Sequence, residues 1–155
     1  MNRPVPPSAR PAPADLNAGR HLLDPSIETM ARTIIGEARG EDELGMIAVA
    51  WVIRNRAEHP RWWGRSVVEV CRKPFQFSCW LRADRNYRLV ATDAFFDHPL
   101  AREVQSIARG VLVGSIPDPT GGADHYHHYA VQPAWSAGHE PVASIGAHRF
   151  YRLEI

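Results

Sequence analysis

Ile34-Ile35-Gly36-Glu37-Ala38-Arg39-Gly40-Glu41 joins two apolar segments and leaves a carboxylate at the junction. Upstream, Ile27, Met30, Ala31, Ile34, Ile35 and Ala38 recur at i, i+3, i+4, i+7, i+8 and i+11, the spacing of one buried helix face. Asp24-Pro25 opens that helix, with Asp as N-cap and Pro in the first turn. Gly36 is costly inside a helix, by roughly 1 kcal/mol relative to Ala, so the close approach of another backbone is expected there. Gly40 ends the helix. Glu41-Asp42-Glu43 then supplies an acidic first turn, favourable at a helix N-terminus. Leu44 to Ile53 is apolar almost all round, as in a helix buried at the centre of a domain. Arg54-Asn55-Arg56 gives it a basic end, with Pro60 beyond.

Further along, Ser66 to Arg72 reads as a short helix with Val67, Val70 and Cys71 inward. Asp97 with Pro99 opens a last helix carrying Leu100, Val104, Ile107, Ala108, Val111 and Leu112, capped by Gly114. Ile116 to Gly122 is turn chemistry. His125 to Tyr129 and Arg149 to Leu153 have strand composition. The fold class expected is α+β, mostly helical, with a small β region in the C-terminal third. Residues 1–22, rich in Pro, Ala and Arg, are expected to form a flexible extension, and residues 23–155 the folded domain.

A chain of 155 residues suits one domain with a real core. Its 45% hydrophobic and 23% charged content is ordinary for a globular protein. The formal charge of +1 gives no electrostatic case for nucleic acid. No apolar run is long enough to span a membrane, and no secretory leader is visible. Any extracytoplasmic role is therefore expected to need release by lysis or another export route. A monomer is expected. Cys71 and Cys79 are too few for a disulfide scaffold; a pair and two semi-buried thiols are equally compatible with the spacing.

Glu37 is the first candidate for chemistry. A carboxyl beside an apolar stripe loses hydration when ionised, which raises its pKa, and a protonated carboxyl is the proton donor that glycosidic cleavage needs. The helix by itself favours a plainer account, a solvated Glu paired with Arg32 or Arg39. Glu41 is a possible second carboxylate, although a helix N-terminus explains it sufficiently. Trp62, Trp63, Phe75, Phe77, Trp80, Tyr126, Tyr129 and Trp135 form an aromatic set suited to stacking on sugar rings. Phe75 and Phe77 are expected in the core, and Trp80 beside Gln76 and Ser78 in the groove. His125 and His127 share one strand face, and His139, Glu140 and His148 follow. With no H-E-x-x-H and no Cys in this half, no metal site is assigned and no cofactor is expected.

ARTIIGEARGE (31–41), GMIAVAWVIRNR (45–56), QFSCW (76–80), DPTGGADHYHHY (118–129) with Trp135, and SIGAHRFY (144–151) occur in this order. In that order the sequence resembles the cell wall hydrolase family of the spore-cortex-lytic enzyme SleB and its relative CwlJ, over roughly residues 26–151. The resemblance implies a lysozyme-like fold related to lytic transglycosylases and a peptidoglycan substrate. It makes Glu37, the first Glu of GEARGE, the catalytic acid, cleaving between N-acetylmuramic acid and N-acetylglucosamine. Gln76, Ser78, Trp80, His125, Tyr126 and Glu41 are the expected substrate-binding residues. The His125–His128 segment is richer in histidine than the spore enzymes' version. A metal-dependent wall amidase or peptidase and a non-catalytic peptidoglycan-binding module are the rival readings.

Overall fold

The structure, a computed structural model, describes residues 24–155; the expected N-terminal extension lies outside the described residues. Helix α1 spans Pro25–Ala38, and the Asp24 carboxylate caps it by accepting from the Ser26 amide at 2.8 Å and the Ile27 amide at 3.4 Å. Its apolar stripe is buried as the spacing predicts, from Ile27 to Ala38. Helix α2 spans Glu43–Glu58, capped by Asp42. It runs past the basic triplet expected to end it, because Arg54, Asn55 and Arg56 find partners on other elements instead of facing solvent. The Arg54 guanidinium donates to the Val111 carbonyl at 2.6 Å, Asn55 Nδ2 to Ala123 O at 3.0 Å, and Arg56 Nε to Asp124 O at 2.7 Å.

Helix α3, Val67–Arg72, buries Val67, Val70 and Cys71 as expected and is capped by Ser66. A single 3₁₀ turn at Ser78–Trp80 and the short helix α4, Tyr87–Ala91, follow. Residues Asp93–Asp97 form another 3₁₀ turn, so the last helix, α5, starts later than its Asp-Pro signal suggested, at Ala101, and runs to Val113. Gly114 closes it in the left-handed region at φ +81°. Helix α1 packs on α5, α3, α2 and α4, which places it at the centre of the helical body.

The sheet has three antiparallel strands in the order β1-β3-β2: His125–His128, His148–Tyr151 and Ala143–Ile145. Tyr126 pairs with Phe150, and Phe150 with Ala143. Helix α2 is apolar all round because it is covered on two sides. Met46, Val49, Ala50 and Ile53 face the helical core, while Ala48 and Val52 pack with Ala123 and Phe150 under the sheet. Burying a Val, Leu or Ile side chain contributes about 1.5–3 kcal/mol, so α2 anchors both layers at once. Cys71 and Cys79 are both buried and free, and burial pushes the Cys71 thiol up to about 12.

Candidate active site

Glu37 ends α1 where the helical body meets the sheet. It borders two cavities. The larger, about 470 Å³, is lined by Glu37, Arg56, Trp62, Phe75, Gln76, Phe77, His125, Tyr126 and Trp135. The smaller, about 260 Å³, is lined by Gly36, Glu37, Arg39, Gly40, Arg85 and Asn86. Glu37 is the one residue common to both and the only carboxylate on either wall among the described residues.

Burial raises the Glu37 pKa above the ordinary carboxylate value, and the charge of Asp84 adds to the rise. Three donors oppose it: the thiol and the backbone N–H of Cys79, and the hydroxyl of Tyr126. Burial prevails, which favours the protonated acid. Once the proton leaves, the same donors stabilise the carboxylate left behind. Tyr126 keeps its own proton, since burial and the neighbouring Glu37 charge push its pKa well up.

Gly36 makes this arrangement possible. A Cβ there would stand 2.6 Å from both Cβ and Sγ of Cys79 and 3.0 Å from Cγ1 of Val90. The close approach expected at Gly36 is therefore real, but a side chain makes it, not a backbone. Cys79 lies on the bare helix surface, close enough to donate to the next residue's carboxylate.

Arg56 is the residue that sequence reasoning missed. It is only 6% exposed, yet it reaches the cleft wall. Its Nη1 donates to Gln76 Oε1 at 3.4 Å, and its guanidinium lies 5.3 Å from the Trp63 ring centroid and 5.7 Å from that of Trp62. Burial pulls its pKa down, opposed by Tyr126 and Asp124, but a guanidinium remains charged in a protein. A signal was present: Arg56 follows Val49 and Ile53 at i+7 and i+3, so a residue read as a basic helix end lies on a buried stripe.

Asp124 fixes the start of β1. It is fully buried and accepts from the amides of Leu153 at 2.9 Å, Glu154 at 2.7 Å and Ile155 at 3.0 Å, and from His125 Nδ1 at 2.7 Å. Burial raises its pKa, but the His125 and amide bonds outweigh that and bring it down to about 2. His125 is thereby oriented against Trp135, with ring centroids 5.1 Å apart. His127 meets the same ring at 5.6 Å, so the two histidines do share a strand face. His127 Nε2 is within 2.9 Å of the Tyr151 hydroxyl. Among the described residues, no group of three or more His, Cys, Asp or Glu side chains is placed to hold a metal ion.

Of the expected site residues, Glu37, Gln76, His125 and Tyr126 converge on the cleft. Trp80 does not. Phe77 enters the core, and the 3₁₀ turn after it swings Trp80 to the α1 side, where Nε1 donates to Thr33 Oγ1 at 3.0 Å and Arg72 covers the ring at 4.7 Å. Ser78 is exposed on that turn and lines neither cavity at Glu37. Glu41 also faces away: its Oε1 accepts from the Ala147 amide at 3.3 Å and lies 3.4 Å from His148 Nδ1. Phe75, expected in the core, is 82% exposed at φ +66° and lines the cleft, because Pro74 and Gln76 belong to a tight turn there. Trp63 is fully buried, while Trp62 is 46% exposed at the cleft mouth.

A helical body with a small antiparallel sheet laid over one cleft carboxylate is a lysozyme-like architecture. Residues 40–151 match the Cell Wall Hydrolase family, and the chain belongs to that family. The match starts three residues after Glu37, so the reading of Glu37 rests on its geometry and on the GEARGE motif. The chain is 29% identical over 130 residues to a spore cortex-lytic enzyme of Halalkalibacterium halodurans, a match covering 82% of this chain and 34% of that protein. The chain thus spans about a third of the length of that curated relative. Among solved structures, it is similar to the catalytic domain of the germination-specific lytic transglycosylase SleB from Bacillus anthracis. That match has a TM-score of 0.63 and 28% identity, over 82% of this chain and 93% of that one. The catalytic domain of the Bacillus cereus SleB protein matches at TM-score 0.62 and 27% identity, over 82% and 89%. No helix among the described residues is long and apolar enough to cross a membrane.

Proposed function

We propose that this domain cleaves peptidoglycan glycan strands at the β-1,4 bond between N-acetylmuramic acid and N-acetylglucosamine, with Glu37 as both acid and base. The observation that carries the reading is the position of Glu37: a carboxyl with a raised pKa, alone of its kind, between two cavities. A donor for a glycosidic oxygen belongs between the sites for the two sugars that the bond joins.

In this reading Glu37 gives its proton to the leaving O4 as the C1–O bond breaks. Tyr126 and the Cys79 amide stabilise the resulting carboxylate. The acetamido oxygen of the muramic residue supports the cationic C1, so no second protein carboxylate is required. The muramic 6-hydroxyl then attacks C1 and returns its proton to Glu37, giving a 1,6-anhydro end. Trp62, Trp135 and His125 offer ring faces to the sugars, and Arg56 and Gln76 offer donors to their carbonyls and hydroxyls. The site of action is the cell wall. The lytic route is supported by the lytic transglycosylase name of the B. anthracis relative.

The test is digestion of purified peptidoglycan by wild type and Glu37→Gln, with products read by mass spectrometry. Anhydro-muropeptides from wild type and none from the variant are expected. Reducing muropeptides would replace the sugar hydroxyl by water in the second step. Free stem peptides, with activity lost to a chelator, would sink the glycosidase reading in favour of an amidase.

A further inference from the structure

The cleft does not end at Trp62. On its far side lies a second groove of about 570 Å³, whose walls include Arg61, Trp62, Arg65, Arg72, Lys73 and Pro74. Trp62 belongs to both hollows, and Pro74 in one adjoins Phe75 in the other. Together they form the sill between the two hollows. Phe75 stands on that sill with its ring in solvent and its backbone in the left-handed region, at φ +66°. Neither feature favours folding, and such positions concentrate where a ligand passes.

The charge of this groove is out of proportion to the chain. The whole protein carries a formal +1, yet this hollow gathers three arginines and Lys73, the only lysine in the sequence, against one carboxylate, Glu69. Glu69 is occupied locally, accepting from the Arg65 amide at 2.6 Å. Two helical arginines have acidic partners, Arg32 with Glu28 and Arg54 with Glu58, each at 2.8 Å. Among the described residues, none of the four groove cations has an acidic partner within 4.0 Å. Arg72 lies over the Trp80 ring, which holds the guanidinium without cancelling its charge. A hollow with an excess of cations, open to a substrate cleft, raises the local concentration of anions.

We propose that this groove binds the carboxylate-bearing peptide substituent of the glycan whose sugar backbone occupies the cleft. The inference rests on the reading of the cleft as a peptidoglycan site. The sugars themselves are neutral, whereas the muramic lactyl ether carries a short peptide with several free carboxylates. That peptide must leave the cleft beside the sugar that bears it, and the sill at Trp62 and Phe75 is an exit onto complementary charge. Arginine in particular matches carboxylates with paired donors.

The experiment compares wild type with Arg61→Glu/Arg65→Glu on two substrates: glycan strands carrying stem peptides, and strands stripped of them by an amidase. Arg102→Glu/Arg109→Glu, which reverses two exposed charges on α5, controls for net charge. Wild type is expected to prefer the stem-bearing strands in kcat/KM, and the preference should shrink as salt is raised. The groove variant should lose about tenfold of that preference, mainly through KM, while the α5 variant keeps it. Lys73→Glu gives a second, single-site readout in the same direction. Equal losses on both substrates, or no loss of preference, would overturn the groove while leaving the cleft reading intact. If wild type cleaves neither substrate, the cleft reading is the one that fails. Calorimetric titration with the free stem tetrapeptide then decides the groove: heat from wild type that is absent in Arg61→Glu/Arg65→Glu supports it, and identical isotherms overturn it.

Discussion

Glu37 and Glu41 are four residues apart in one motif, yet the two regions they occupy are opposites. Glu37 borders two cavities, meets its donors from Tyr126 and Cys79, and is pushed toward the protonated form. Glu41, in the turn between α1 and α2, points at the tip of the β2–β3 hairpin. There Ala147 N–H donates to it and His148 Nδ1 stands 3.4 Å away. Gly146 leaves room for that carboxylate at φ +54°; a Cβ would run into Oε2 of Glu41. One carboxylate lines the cleft, where the proposed chemistry takes place, and the other clasps a hairpin. What lies opposite each side chain decides its role. The clasp also serves the site at one remove. The His148 ring packs on Tyr126 at 5.0 Å between centroids, and Tyr126 bonds Glu37.

The largest effect expected is the loss of cleavage in Glu37→Gln, by about 10²–10⁴-fold, the usual worth of a positioned acid–base group. Glu41→Gln should keep activity within about tenfold but lose about 1–2 kcal/mol of stability, read as a Tm lower by a few degrees. The contrast breaks if Glu41→Gln is as inactive as Glu37→Gln at unchanged Tm, which would make Glu41 a second catalytic carboxylate. Stability against pH sharpens it further. Burial holds the folded pKa of Glu37 above its unfolded value, so the native state binds the proton more tightly. Stability then falls as pH rises from the unfolded pKa through the folded one. Glu37→Gln removes that loss, so thermal melts should show the variant gaining Tm over wild type at neutral pH relative to pH 4. A gap that does not change with pH would contradict the raised pKa.

The sequence showed more of the scaffold than of the site wall. Asp24-Pro25, the Ile27–Ala38 stripe and the two strand segments are local patterns, and local physics suffices for them. The central burial of α2 was also legible, because only a helix covered on two faces tolerates Leu44 to Ile53. Glu37 needed more than its helix, whose plainest account was a solvated Glu; the order of five motifs brought it forward. Arg56 was hidden because a basic residue near a helix end has an adequate explanation already, and only the tertiary position of Asp124 and Gln76 shows why it is buried. Trp80 and Phe75 exchanged places with expectation for one reason. A tight turn at 73–76 and a 3₁₀ turn at 78–80 set which aromatic faces out, and alternation in sequence does not encode that.

The two glycines beside the two carboxylates offer a smaller and more selective test. Gly36→Ala drives a Cβ against Cys79, and Gly146→Ala combines a crowded Cβ with a left-handed φ. Each should cost about 1–3 kcal/mol in denaturant unfolding, the usual range for overpacking at a closed site. Their functional consequences should differ. Displacing Cys79 removes donors from Glu37, so Gly36→Ala should lower kcat and move the pH profile. Gly146→Ala should lower stability and leave the profile where it was. Matching shifts in both profiles would mean that the clasp and the acid are one unit.

The smallest effect expected is that of Tyr126→Phe, and its sign is the informative part. The Tyr126 hydroxyl donates to Glu37 and so favours the carboxylate; burial acts the other way and prevails. Deleting the hydroxyl leaves the ring, its packing on His148 and Phe150, and the strand pairing in place. It removes one donor, worth about 0.5–1.5 kcal/mol, from the ionised state alone. The Glu37 pKa should rise further, and the alkaline limb of the kcat/KM profile should move to higher pH with it. Below that limb the rate should fall about two- to tenfold, because the carboxylate formed at bond cleavage has lost a partner. A limb that moves to lower pH would show the hydroxyl supporting the protonated acid instead, and Cys79 alone would then account for the stabilised carboxylate.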